Sequence, residues 1–273
     1  MLQFALIRLI RALVTVLAVM SFAFLVLRLS GDPAQVMLGP DTPREAVEAF
    51  RRQWGLDQPL WWQYLSYVHA VFSGDFGMSM RDRAPVLDIV LSRLPATLEL
   101  TIPSLFLQIA IGIPAGILAA LYRNSLIDRG VILLSVAGFT IPSFVLGLVL
   151  VLVFAVYLGW LPSGGSAEWR HAILPIITIS IGGIGVLSRF ARSAMIEVLG
   201  QSWIRTAQAK GLRWRDVVIS HAFPNAAVPI VTLVGLLVGS LAAGAVVTET
   251  IFSWPGLGRS EERRVGKECR SRW

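Results

Sequence analysis

Five long apolar runs, at about residues 9–29, 98–121, 131–158, 172–188 and 225–247, dominate the chain. A helix needs roughly 20 mostly apolar residues to cross a bilayer, and runs of that length and composition satisfy their backbone groups in lipid by becoming helical. The chain therefore reads as an all-α membrane protein whose 273 residues, 55% hydrophobic and 15% charged, are counted in spans rather than in soluble domains. The fourth run is short and is expected to need a neighbouring turn to cross. The first follows Arg8 and Arg11 and is too long for the apolar part of a cleaved signal peptide, so residues 1–29 are read as the N-terminus and an uncleaved first span.

Basic residues in short loops set the orientation. The N-terminus, the loop "YRNSLIDRG" with Arg123 and Arg129, and a stretch holding Arg189, Arg192, Arg205, Lys210, Arg213 and Arg215 fall on one side, expected to be cytoplasmic. The opposite loop "GWLPSGGSAEWRH" carries only Arg170. The formal charge of +7 is this bias plus a basic C-terminal stretch, and it does not indicate nucleic-acid binding.

Between the first two spans, residues 30–97 form an extracytoplasmic segment. Thr42-Pro-Arg-Glu45 has the form of a capping box with Pro43 at the first helical position, and Gly55 supplies a stop, so a helix is expected over 43–54. Trp61, Trp62, Tyr64, Tyr67, Phe72 and Phe76 follow. They suit a helix lying at the membrane interface or, equally on amphipathicity alone, an ordinary small core.

The spans are rich in small residues: Gly112-x-x-x-Gly116, "IGGIG" at 181–185 and Gly235-x-x-x-Gly239. Such residues let helix backbones approach closely in lipid, within one chain or between subunits. Pro114 and Pro142 lie inside runs and predict kinks. Ionisable groups are nearly absent from the runs; Glu99 stands near the outer end of the second, and Gln108 is its deepest strongly polar group. A carrier coupled to protons or sodium ordinarily places such groups near the midplane. His69, His171 and His221 lack metal-ligand spacing, and neither HExxH nor GxSxG occurs. No Walker A loop is present, so energy would have to arrive from another protein. No catalytic residue and no metal ligand is indicated, and no motif singles out substrate contacts.

"RTAQAKGLRWRDVVISHAFPNA", residues 205–226, is polar and basic between two apolar runs, and too long for an ordinary helix connection of about 2–8 residues. "SWIRTAQAKG" reads as a short helix stopped by Gly211. On the residues alone it is either a docking surface for a soluble partner or an amphipathic loop touching lipid headgroups.

The stretch resembles the cytoplasmic EAA motif of ABC-transporter permeases: with the motif's glycine at Gly211, Arg205-Thr206-Ala207 take its first three places and His221-Ala222-Phe223-Pro224 its last four. "RTAQAKGL" is similar to the form used by the dipeptide/oligopeptide/nickel permeases. "RLSGDPA", "GLDQPL", "GDFGMS", "RLPATLEL", "IPSF", "LGWLPSGG" and "ETIFSWPGLG" resemble that branch's landmarks in its order, over residues 1–258. The resemblance implies a type I ABC importer permease bundle of six spans, five of them present here, with a permease core at 98–258 and a cytoplasmic coupling loop at about 189–224. It implies that Trp203, Arg205, Thr206, Ala207, Lys210, Gly211 and Pro224 form an ATPase-coupling surface. It further implies a second homologous permease subunit, two ATP-binding subunits carrying the ATP and Mg, an extracytoplasmic solute-binding protein, and a bacterial or archaeal cytoplasmic membrane. No cofactor is expected on this chain. Di- and oligopeptides are the first substrate expectation; nickel, glutathione or another small solute is the alternative, and a motor-independent channel or membrane scaffold is the alternative of another class.

From residue 259 the text "RSEERRVGKECRSRW" has no hydrophobic pattern and holds the chain's single Cys. It resembles a translated sequencing adapter, so residues 259–273 are expected to be an artefact standing where a sixth span would follow Gly258.

Overall fold

The computed structural model describes residues 2–29, 31–39, 42–79 and 84–258; the adapter-like residues 259–273 lie outside them. Two units divide between Ile89 and Val90. Among the described residues the structure is helical, with a lone antiparallel bridge between Met78 and Pro85.

In the first unit, α1 (Leu2–Leu29) is apolar all round, and its most apolar stretch is wholly unburied within the chain, as suits a helix bathed in lipid or covered by another subunit. Three short helices follow: α2 (Pro33–Leu38), α3 (Arg44–Gln53) and α4 (Leu60–Phe72). Asp32 caps α2 by accepting the Ala34 N–H at 3.0 Å, and its carboxylate also pairs with the Arg51 guanidinium of α3. The anticipated capping box is not formed. Thr42 Oγ1 donates back to the Leu38 carbonyl at 2.6 Å, and Pro43 is itself the N-cap of α3, one position before the helix. The aromatic segment is packed only in part. Tyr64 bonds Ser21 at 2.6 Å and packs edge-on against Phe24, which also stacks on Tyr67, whereas Trp61, Trp62, Phe72 and Phe76 stay exposed.

α5 (Val86–Leu107), which belongs to the second unit from Val90 on, passes through a wide π-helical turn at Gln108–Gly112 into α6 (Ile113–Leu121). The break expected at Pro114 takes this form, with Pro114 in the first turn of the resumed helix. The third run is sharply bent at the expected Pro142. α7 (Leu126–Thr140) and α8 (Ser143–Leu150), extended by a π turn over Val151–Tyr157, meet at 100°, because Ile141 turns extended before Pro142 and the α7 hydrogen-bond ladder ends there. The fourth run is not short: α9 (Arg170–Leu199) is a continuous helix of 30 residues that takes in Arg189 and Arg192. After α10 (Ser202–Ala209), the single turn α11 (Trp214–Asp216) and a π turn at Val217–Ala222 lead into α12 (Phe223–Ile251), so the last helical stretch begins well before residue 225.

α9 is the centre of the unit, packed against α6, α7, α8 and α12. Small groups bring these backbones together. A Cβ on Gly116 would stand 2.3 Å from the Ser188 carbonyl, one on Gly185 would stand 2.5 Å from that of Ser135, and the Ser135 and Ser188 hydroxyls bond at 2.7 Å. By contrast, Gly235 and Gly239 have open space beside them.

At the far end of α12 a buried carboxyl organises the chain. Glu249, 0% exposed, accepts the Thr97 hydroxyl at 2.6 Å and the Gly258 N–H at 2.7 Å. Thr97 Oγ1 in turn accepts the Leu257 N–H at 3.0 Å, and Trp254 Nε1 donates to the Ala96 carbonyl at 2.8 Å. The turn 252–258 is thereby folded back onto α5.

A candidate coupling surface and the family of the chain

α10 is held by its inner face. Ile204 and Ala207, one helical turn apart, are buried in a cluster with Leu187, Ala191, Met195, Val217, Ala222 and Ile230. The opposite face is open: Trp203, Arg205, Thr206 and Lys210 are exposed, and Leu212 and Trp214 add exposed apolar surface beside them. Lys210 is the C-cap, and Gly211 ends the helix with φ +81°, the left-handed conformation that glycine adopts freely. Nothing lies within 4 Å of where its Cβ would be, so it is the backbone angle, not crowding, that selects glycine there. Arg213 pairs with Asp216 at 3.0 Å and opens the next turn. Pro224 sits in the first turn of α12 and is exposed.

The structure thus gathers Trp203, Arg205, Thr206, Lys210 and Gly211 on one short segment, while Ala207 belongs to its anchor and Pro224 stands beyond the π turn. Sequence reasoning missed Ile204 as the second anchor. The spacing of Ile204 and Ala207 among polar neighbours is the signal that marks it.

A second unanticipated element lies just above. Asp128, 2% exposed, receives Arg192 Nε at 2.5 Å and Nη2 at 2.8 Å, and its Oδ2 also accepts the Asn124 N–H at 2.9 Å. Ser125 Oγ accepts the Asp128 N–H at 3.3 Å, so the ion pair is built on the N-cap of α7. A bidentate guanidinium–carboxylate contact of this kind fixes orientation as well as distance. It pins the start of α7 to α9 close to where α9 gives way to α10.

The surface so described belongs to a chain with clear relatives. Residues 112–260 match the family described as "Binding-protein-dependent transport system inner membrane component", and residues 1–101 match its N-terminal counterpart, "Binding-prot-dependent transport system membrane comp, N-term". The "Glutathione transport system permease protein GsiC" of Escherichia coli K12 is 42% identical over 260 residues, covering 95% of this chain and 85% of that protein. The protein of the same name from Shigella flexneri serotype 5b (strain 8401) is equally similar over the same length. Among solved structures, a chain of the inward-facing MetNI methionine ABC transporter (CY5 native crystal form) superposes with a TM-score of 0.54 over 67% of this chain and 81% of that one. At 22% identity it speaks to the fold alone. Among the described residues four helices are long and apolar enough to cross a membrane, with a bent pair that makes a fifth if it is one span, and a short exposed helix lies between the last two; matched along both halves by these families, the chain belongs to the binding-protein-dependent inner-membrane permeases of type I ABC importers.

Proposed function

We propose that this chain forms half of the translocation path of an ATP-driven importer of short peptides, glutathione among them. The observation that carries the coupling half of this reading is α10: an eight-residue helix whose inner face is locked into the core and whose outer face offers Trp203, Arg205, Thr206 and Lys210 to a partner. A helix anchored in this way can pass a push from a docked ATPase into the spans, whereas a loosely held loop would absorb it. The peptide half rests on the 42% identity to permeases named for glutathione transport, itself a tripeptide. The open faces of α1 and of α12 around Gly235 and Gly239 support association with a homologous permease, with the path between the two. The ATP-binding subunits, two in number, meet α10 on the cytoplasmic side, where the N-terminus also lies by the distribution of Arg and Lys. A solute-binding protein delivers the substrate to the opposite face.

Reversing both free charges of α10, as Arg205→Glu with Lys210→Glu, tests the reading in the reconstituted transporter. Binding-protein-stimulated ATP hydrolysis and ATP-driven uptake of glutathione and of trialanine are expected to fall together, with membrane insertion unchanged. Full coupled transport by the reversed protein would remove α10 from the coupling surface. ATP-independent flux through this chain purified alone would point instead to a channel.

A further inference from the structure

A cavity of about 300 Å³ lies in the second unit where its irregular features converge. Gln108 lines it at the start of the π turn between α5 and α6, Ile141 and Pro142 at the bend between α7 and α8, Gly182 and Gly183 on α9, and Ser240 on α12. Broken and widened helices at membrane depth are tolerated where they are buried or line a cavity, and they mark binding sites more often than plain spans do.

The buried polar side chains of this cavity present acceptors, while the hydroxyl of Ser143 stands at its exposed edge. Gln108 is 1% exposed, donates weakly through Nε2 to the Ile179 carbonyl at 3.4 Å, and leaves its Oε1 without a partner. Thr178, Thr248 and Ser240 spend their hydroxyl protons on helix carbonyls, those of Leu174 at 2.8 Å, Gly244 at 3.3 Å and Leu237 at 2.9 Å, so they face a ligand with lone pairs only. Such a lining favours N–H donors. A buried acceptor left unsatisfied is unfavourable until a ligand meets it.

A cation adjoins one of the lining residues, Phe139. Arg189 continues the α9 face formed by the lining residues Ile179, Gly182 and Val186 at helical spacing. Its guanidinium lies over the ring of Phe139, 5.1 Å from the centroid, and Phe139 lines the cavity too; Arg189 Nε is buried without a partner. Gln108 Oε1 sits against Gly183, 2.2 Å from where a Cβ would be. The Arg189 Cα is therefore about 9 Å from that of Gly183 along the helix axis, on the scale of about three extended residues.

Resting on the peptide-importer reading above, we propose that this cavity is a peptide-binding station in which Gln108 Oε1 accepts a backbone amide N–H and Arg189 receives the C-terminal carboxylate of a chain about three residues long. An anion without N–H groups would satisfy only Arg189, and an amine without a carboxylate only Gln108.

The test uses the transporter purified with its partner subunits, carrying Ser143→Cys at the mouth of the cavity and Cys269→Ala, and measures how far trialanine or its C-terminal amide slows alkylation by a small maleimide. Trialanine is expected to protect. Gln108→Leu should raise the concentration for half-protection about tenfold for both probes, the effect of one buried hydrogen bond, while Gln108→Glu, which keeps an oxygen acceptor, stays closer to the parent. Arg189→Gln should weaken protection by trialanine and leave protection by the amide as it was. No protection by either probe, or protection unaltered by both Gln108→Leu and Arg189→Gln, would overturn the site. Protection with this pattern but no ATP-driven trialanine uptake would overturn the peptide-importer reading and leave the site standing.

Discussion

Replacing Glu249 by Ala should unfasten the turn 252–258 from α5. The carboxyl is fully buried and accepts two hydrogen bonds, from Thr97 Oγ1 at 2.6 Å and from the Gly258 N–H at 2.7 Å. Each buried donor left without a partner costs about 1–3 kcal/mol, so the two together set the expected loss at about 2–6 kcal/mol, before any vacated volume is counted. Glu249→Gln separates polarity from size: its oxygen can still serve Thr97, but its NH2 then faces the Gly258 N–H, donor against donor, and the loss should approach the lower figure. Thr97 carries both Glu249 and the Leu257 N–H, so Thr97→Val and Glu249→Ala should not be additive. A double-mutant cycle should return a coupling of about 1–3 kcal/mol. Unfolding in detergent is followed by circular dichroism, since Trp254, whose Nε1 bonds the Ala96 carbonyl at 2.8 Å, is one of nine tryptophans. Losses below about 0.5 kcal/mol for Glu249→Ala, or strict additivity with Thr97→Val, would refute the reasoning, since surface substitutions already vary by that much.

Gly116→Val should disrupt the packing of α6 on α9, because even a Cβ would stand 2.3 Å from the Ser188 carbonyl; the same change at Gly235, with nothing within 4 Å, should leave the thermal stability of the isolated chain within error. Gly211→Ala should destabilise the end of α10 by about 1 kcal/mol through its positive φ alone, with Gly211→Asn milder, as read by hydrogen exchange over α10. In the first unit, burial alone would raise the Asp32 carboxyl, but its hydrogen bond from Arg51, the Ala34 N–H and the charges of Arg51 and Arg28 outweigh this and hold it below the usual carboxylate range. A depressed carboxyl stabilises above its unfolded value, about 3.9, and that contribution disappears as pH falls through the folded value; hydrogen-exchange protection of α2 and α3 should be flat from pH 7 to about 4 and decline only below, so a decline near pH 6 would exclude Asp32 as its cause.

The spans were legible because apolar length is a one-dimensional property, and the end of α10 because a glycine after small and polar helix formers has few other uses. What escaped was what depends on partners distant in sequence. Pro142 announced an interruption, but a uniformly apolar run carries no mark of a 100° turn. Gly112-x-x-x-Gly116 and Gly235-x-x-x-Gly239 read alike, yet one pair is packed onto α9 and the other faces open space. Glu249 stood just past the last apolar run, where a charged residue ordinarily meets water; its burial depends on Thr97, on another helix. The third place in the EAA-like stretch assigns Ala207 to the coupling surface, and the three-residue step from Ile204 turns it inward.

The pin between Asp128 and Arg192 gives α9 a fulcrum. Below it the helix runs about 10 Å to Leu199 and the threshold of α10; above it, about 13 Å separate Arg192 from Gly183. No proline interrupts this length, Pro175 lying beyond Gly183. A tilt of about 10° around the pin would carry the two ends roughly 2 Å in opposite directions. On the coupling proposal, arms of nearly equal length would invert a stroke arriving at α10, swinging the glycine pair of the cavity outward as the α10 end moves inward, and the α6 and α7 backbones packed on Ser188 and Gly185 would have to travel with the upper arm.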